Sequence, residues 1–145
     1  MSSPFTIEMP TSIKDEGDKI GQAFNYLFRI IHETENSKNE NIYWDFRNST
    51  FLTPFFLLPL MLYKEKSKKK IHYCNCSGNL ESYFNTIYFN SGGLNPQDVN
   101  ENFENWIGKY SNKRYIPIVN FPASSQEDDY KIKYLELSAI FYKNN

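Results

Sequence analysis

Apolar residues in this chain alternate between short runs typical of strands and longer stretches with helical spacing. Ile20, Phe24, Leu27 and Ile31 recur every three or four residues, which predicts a helix over residues 18–34 with one apolar stripe. Further helices are predicted over residues 54–70, 80–89, 97–110 and 126–142, and strands over residues 5–9, 42–46, 71–76 and 115–121. Because strands separated by helices favour parallel pairing, the pattern predicts an α/β fold, a single-domain mostly parallel sheet flanked by helices.

The turn before the second predicted helix carries a start signal. Thr53 offers a hydroxyl at the N-cap, and Pro54 suits the first helical turn. Pro59 lies further along, where its missing N–H should kink the helix or delay its start. Residues 42–46 lack a clean alternation of apolar and polar positions, so we expect them to form a central, buried strand.

Length and charge narrow the classes of protein that fit. The chain has 145 residues and a formal net charge of −1, which predicts one domain over residues 1–145 without a basic field for nucleic acid. The longest apolar run, residues 55–62, is far shorter than the ~20 residues that cross a bilayer. The first residues lack a secretory signal, so we expect a cytoplasmic protein with no membrane contact. The last predicted helix has no C-cap signal, and we expect the chain to have been cut from, or once to have continued into, a longer polypeptide.

Few residues in the sequence suit catalysis. There is no glycine-rich phosphate-binding motif and there are only two histidines, so we predict a protein that is not an enzyme and has no cofactor. An alternative remains open, because His72, Cys74 and Cys76 would share one face of a strand and could serve a small ligand- or metal-binding domain or a minor enzyme. We nevertheless predict reduced thiols and no metal, since no fourth ligand is evident. A nucleotide- or lipid-sensing pocket at the carboxyl edge of the sheet is a third possibility.

Residues 42–94 combine several features in a fixed order. A hydrophobic strand with an acidic residue (Asp45) precedes a Phe51-Leu52 pair and a tight turn into a helix. After these come the segment Tyr63-Lys64-Glu65-Lys66, a strand ending in cysteine and the run Ser91-Gly92-Gly93-Leu94. This order resembles the STAS domain family, known from anti-sigma-factor antagonists of bacteria. The resemblance implies a regulatory module for signal transduction that binds proteins and acts with a kinase-like ATPase, as a separate partner or a following domain, or with another regulator.

The turn into the helix departs from the family pattern. The family's turn typically has the sequence Asp-Ser-Ser-Gly, with its first serine phosphorylated, whereas this chain has Thr53-Pro54-Phe55-Phe56. Ser49, Thr50 and Thr53 are nearby hydroxyls that could replace the missing acceptor. We predict that the regulatory surface lies at this turn and the following helix, with Phe55 and Phe56 as apolar anchors and the lysines of residues 64–70 as a basic rim. The sequence predicts no oligomeric state.

Overall fold

The structure, a computed structural model, describes residues 4–14, 17–94, 103–110, 113, 117–119, 135 and 139. The chain divides into two compact units, Met1–Tyr83 and Phe84–Asn145. The strands are β1 (Phe5–Glu8), β2 (Ser12–Ile13), β3 (Asn41–Asp45), β4 (Phe51–Leu52) and β5 (Lys70–Cys74), and the α-helices are α1 (Ile20–Asn36), α2 (Pro54–Lys66), α3 (Gly78–Thr86) and α4 (Phe103–Tyr110). The prediction of one domain over residues 1–145 stays a prediction.

The main sheet of the first unit has the strand order β1-β3-β5 and is parallel throughout. Glu8, Asp45 and Cys74 stand in register, so the carboxyl ends of all three strands meet at one edge. The predicted central position of the strand at residues 42–46 is therefore confirmed. The predicted α/β fold with a mostly parallel sheet and flanking helices is also confirmed.

Beyond the carboxyl ends of β1 and β3, the chain forms a second, short parallel pair of strands. Strands β2 and β4 pair with Ser12 opposite Phe51 and Ile13 opposite Leu52. Backbone hydrogen bonds from Thr50 N–H to the Thr11 carbonyl (2.7 Å) and from Thr53 N–H to the Ile13 carbonyl (3.0 Å) extend this pairing on both sides. The chain thus reaches α2 from a paired strand, which fixes where the helix begins.

Helices α1 and α2 cover the same face of the sheet. The indole N–H of Trp44 donates to Thr34 Oγ of α1 (3.1 Å), and the Trp44 ring stacks on Tyr63 of α2 with 6.4 Å between ring centroids. Trp44 is fully buried, because both helices pack over it. On the opposite face, Tyr43 stacks on the exposed ring of His72 at 5.0 Å. Burial along β3 therefore differs between the two faces of the strand.

The second unit contains α4 and a glycine turn. The buried ring of Tyr110 donates its hydroxyl to the Thr86 carbonyl at 2.6 Å. Gly92 and Gly93 have φ angles of 76° and 90°, which glycine adopts without strain, and Leu94 pairs with Val119 in a parallel bridge. Of the helix predicted over residues 126–142, the structure describes residues 135 and 139, both helical, and the rest lies outside the described residues.

Predicted helix ends need correction. The helix predicted over residues 18–34 is Ile20–Asn36, and the helix predicted over residues 80–89 is Gly78–Thr86. Helix α2 ends at Lys66 rather than at residue 70, because Ser67 is extended and Lys70 already belongs to β5. Pro59 lies inside α2, which nevertheless begins at Pro54, so it does not delay the start. Of the helix predicted over residues 97–110, the described part is α4, and residues 95–102 lie outside the described residues.

Candidate functional site

Asp45 lies where β3 ends and the turn toward α2 begins. One carboxylate oxygen accepts hydrogen bonds from the backbone N–H of Arg47 and from the side-chain amide of Asn75, both at 3.0 Å. The other oxygen forms an ion pair with the Arg47 guanidinium at 2.9 Å. The Asp45 side chain is 7% exposed and that of Arg47 is 64% exposed, so a buried carboxylate is held by a partner that reaches into solvent.

The electrostatics of Asp45 follow from these contacts. Burial acts to raise its pKa, but the hydrogen bonds from Arg47 N–H and Asn75 and the guanidinium charge outweigh burial and lower the pKa below its ordinary value. Asn75 adopts a left-handed φ of 57°, a conformation that asparagine tolerates better than most residues. Because each of these contacts is internal to the fold, we interpret the cluster as a structural clamp on the carboxyl edge.

Two of the three predicted hydroxyl groups form hydrogen bonds between the segment after β3 and the segment after β1. Ser49 is buried and donates its hydroxyl to the Pro10 carbonyl at 2.7 Å. Thr50 is exposed and donates to the Thr11 carbonyl at 3.1 Å. Among Ser49, Thr50 and Thr53, only Thr50 is therefore accessible to a modifying enzyme without local opening of the fold.

Thr53 stands at the N-cap of α2, as predicted, but its hydroxyl does not cap the helix. Its carbonyl accepts from the N–H groups of Phe56 (3.0 Å) and Leu57 (3.1 Å), which starts the helix at Pro54. The side chain is 1% exposed, and its oxygen has no hydrogen-bond partner among the described residues. The expectation of a hydroxyl cap is therefore wrong, because the side chain points into the packed interior.

Phe55 and Phe56 have opposite environments. Phe56 is 2% exposed and belongs to the core, so its predicted role as an anchor is wrong: it lies on the side of α2 that faces the sheet. Phe55 is exposed, and its ring meets Phe24 of α1 edge-on with 5.9 Å between centroids. Phe24 in turn stacks on Phe28 at 6.3 Å.

These contacts belong to a larger apolar surface on α1 and α2, which we name the outer face. Its six members and their exposed fractions are Ile20 (50%), Phe24 (41%), Phe28 (65%), Phe55 (47%), Leu58 (38%) and Leu62 (39%). The α1 members are spaced by four residues and the α2 members by three and four, so each set lines one side of its helix. Residues 20–28 and 54–63 contain no charged side chain, so no charge lies between the members of the outer face along either helix.

The predicted basic rim is partly used inside the fold. The Lys64 ammonium lies 4.1 Å from the centre of the Tyr73 ring, and burial lowers the Lys64 pKa more than the Glu65 charge raises it. Lys69 donates to the carbonyls of Ser37 (2.6 Å) and Asn39 (3.1 Å) and so ties the loop after α1 to the loop after α2. These two lysines have structural contacts and are less available to a partner than the sequence suggests.

The sequence alternative at His72, Cys74 and Cys76 lacks the expected geometry. Strand β5 ends at Cys74, and the left-handed Asn75 interrupts the alternation that would place Cys76 on the same face. Within the residues that the structure describes, no group of three His, Cys, Asp or Glu side chains could hold a metal ion. Burial raises the pKa of both thiols, which keeps them protonated near neutral pH.

A cavity opens at the carboxyl end of β2, beside the first turns of α1 and α2. It has a volume of about 320 Å³, and its walls are mostly apolar with one lysine: Ile13, Lys14, Gly17, Ile20, Ala23, Thr53 and Phe55. Two of these side chains, Ile20 and Phe55, also belong to the outer face. The cavity is therefore a recess at one end of that face.

Sequence reasoning missed the α1 half of the outer face. The apolar stripe of residues 20–31 predicts burial for Ile20 and Phe24, but only its inner part, with Ala23, Leu27 and Ile30, reaches the sheet. A usable signal lies in α2, whose first ten residues are uncharged on every side. A helix that is apolar all round normally has neighbours all round.

Comparisons with known proteins give no relative for this chain: no family model matches it, and no match was found among curated proteins or solved structures. Among the described residues, no helix combines the length and the apolar character needed to cross a membrane.

Proposed function

We propose that this protein is a non-enzymatic, cytoplasmic regulatory module that binds another protein through the outer face and the adjoining turn at residues 50–56. The observation that carries the proposal is the exposure of six large apolar side chains on two neighbouring helices. Contiguous apolar surface of this kind commonly marks a protein interaction site.

The composition of the outer face supports a protein as the bound species. Interface cores are depleted of charge and enriched in aromatic side chains, and the outer face has three phenylalanines and no charged residue. Phe28 and Phe55 are the most exposed rings, so we expect them to contribute most of the binding energy.

The resemblance of residues 42–94 to the STAS family supports the regulatory part of the proposal. By that resemblance, the partner is a kinase-like ATPase or another regulator, and Thr50 replaces the missing acceptor serine as the exposed hydroxyl beside the site. A phosphate there would add about −1.5 to −2 charges close to the start of α2 and change the docking surface.

Site-specific photocrosslinking in cells that naturally encode the chain tests the proposal. A benzophenone amino acid replaces Leu58 in one variant and Leu135, which is 66% exposed but outside the outer face, in a control. We expect the Leu58 variant to form an adduct with a different protein, identified by mass spectrometry, that the Leu135 variant does not form. Absence of such an adduct, or the same adducts from both positions, would contradict the proposal.

A further inference from the structure

We propose that the outer face also binds a second copy of this chain, and that the resulting two-fold dimer competes with the regulator for the same surface. The inference rests on the proposed function in one respect, since both require the outer face to be a protein-binding site. Beyond the proposed function, the inference names one protein that covers the outer face, a second copy of the chain, and a way to regulate binding, by competition with the regulator.

The apolar area of the outer face matches that of a dimer interface. If a fully exposed aromatic or large aliphatic side chain contributes about 200 Å², the exposed fractions of the six members leave roughly 560 Å² accessible. A standard interface buries ~800 Å² per partner, of which ~65% is apolar in homodimers. The outer face therefore supplies about the apolar area that one half of such a dimer requires.

The absence of charge makes the outer face compatible with itself. A two-fold dimer places the same patch on both subunits, so any charged side chain near the axis meets its own copy. Residues 20–28 and 54–63 contain no such side chain, and the net charge of −1 gives little long-range repulsion between copies.

The outer face also carries a protrusion and a recess that fit each other. Phe28 is its most exposed ring, and the cavity of about 320 Å³ beside Ile20 and Phe55 is large enough for a phenyl ring. Residues 20 and 28 of α1 are separated by about 12 Å along the helix axis, at 1.5 Å per residue. In a two-fold arrangement, Phe28 of each copy enters the cavity of the other, so one contact type occurs twice.

Sedimentation velocity of the full chain from about 1 to 100 μM tests the dimer, since two-state association depends on concentration. We expect a species of twice the 17.2 kDa monomer mass to become dominant as the concentration rises. Phe28→Glu should raise the dissociation constant at least about tenfold, as expected for a central aromatic anchor, whereas Leu135→Glu, a change at equal exposure elsewhere, should leave it unchanged. Circular dichroism confirms that each variant is folded.

A mixing experiment tests the pairing of Phe28 with the cavity. Phe28→Glu removes the protrusion, and Phe55→Asp alters the recess, so a dimer of either variant alone loses both contacts. A heterodimer of the two variants keeps one intact contact, and an equal mixture should therefore contain more dimer than either variant alone at the same total concentration. An equal or smaller amount of dimer in the mixture would contradict this pairing.

The two proposals fail differently. A wild-type chain that stays monomeric across the concentration range overturns the dimer. If the Leu58 photocrosslinker still captures another protein in that case, the proposed function stands. A dimer that forms equally well with Phe28→Glu also overturns the inference, because the contact then lies elsewhere.

Discussion

The carboxyl edge at Asp45 and the outer face of α1 and α2 belong to the same unit and satisfy their side chains in opposite ways. At the edge, the Asp45 carboxylate has its partners within the fold, in Arg47 and Asn75. On the outer face, Phe28 and Phe55 are large, apolar and exposed. Polar groups whose hydrogen bonds are made within the fold have few left for a ligand, whereas covering exposed apolar groups with a partner lowers the free energy. The difference favours the outer face over the carboxyl edge as the proposed binding surface.

The largest expected effect separates the two sides of α2. Leu60→Ala removes a fully buried side chain and should lower the free energy of unfolding by about 3 kcal/mol. Leu62→Ala, one half-turn away and 39% exposed, should cost under about 1 kcal/mol when the protein is dilute enough to be monomeric. Urea unfolding measures both values. Equal costs would show that the outer face is already covered within the chain.

The next effect concerns the clamp at the carboxyl edge. Asp45→Ala leaves the Arg47 N–H and the Asn75 amide without their acceptor, and we expect a loss of about 2 kcal/mol in unfolding free energy. Arg47→Ala should cost about 1 kcal/mol or less, because its guanidinium is 64% exposed and water can replace it. A larger cost for Arg47→Ala than for Asp45→Ala would mean that the ion pair, not the hydrogen bonds, holds the edge.

The pH dependence of stability sharpens the same comparison. The pKa of Asp45 is lowered in the folded state, so its contribution is fully present above the unfolded value of about 3.9 and is lost as the pH falls toward the folded value. The stability difference between wild type and Asp45→Asn should be constant from about pH 5 to 7 and shrink below about pH 4. Urea midpoints measured across this range test the sign, and a difference that grows on acidification would contradict it.

The smallest effect is expected at Thr53, between the two regions. Thr53→Val replaces a buried hydroxyl that has no partner among the described residues with a methyl group of similar size. We expect unchanged stability or a gain of up to about 1 kcal/mol, because no hydrogen bond is lost and a desolvated polar group is removed. Thermal unfolding measures the change. A clear loss of stability would contradict this expectation and show that the Thr53 hydroxyl forms a hydrogen bond in the folded protein.

The fold could largely be predicted because its signals are local. Residues 42–46 combine β-branched and aromatic side chains, and Thr53-Pro54 marks the start of α2 at the correct residue. The short pair of β2 and β4 was missed, since two-residue strands leave no periodic pattern and depend on backbone hydrogen bonds such as that from Thr50 to Thr11. Exact helix ends were also missed, because Ser67 rather than a glycine or proline ends α2.

The candidate site was predicted less well, because exposure depends on what lies across from each side chain. Phe55 and Phe56 are adjacent and chemically identical, and only the direction of α2 relative to the sheet decides that one is exposed and the other buried. Ser49 and Thr50 differ for the same kind of reason, since Ser49 faces Pro10 across the bend. Helical spacing identifies which residues share a side of a helix, but it does not tell which of two apolar sides meets the sheet.

The central place of β3 has a consequence for synthesis of the chain. Its edge toward β1 can be paired as soon as residues 41–45 emerge, but its edge toward β5 stays open until Lys70–Cys74 have been made. An open parallel edge is a template for other chains. We expect polypeptides that end between β3 and β5 to aggregate during translation, whereas those that end after Cys74 contain each strand of this sheet that the structure describes.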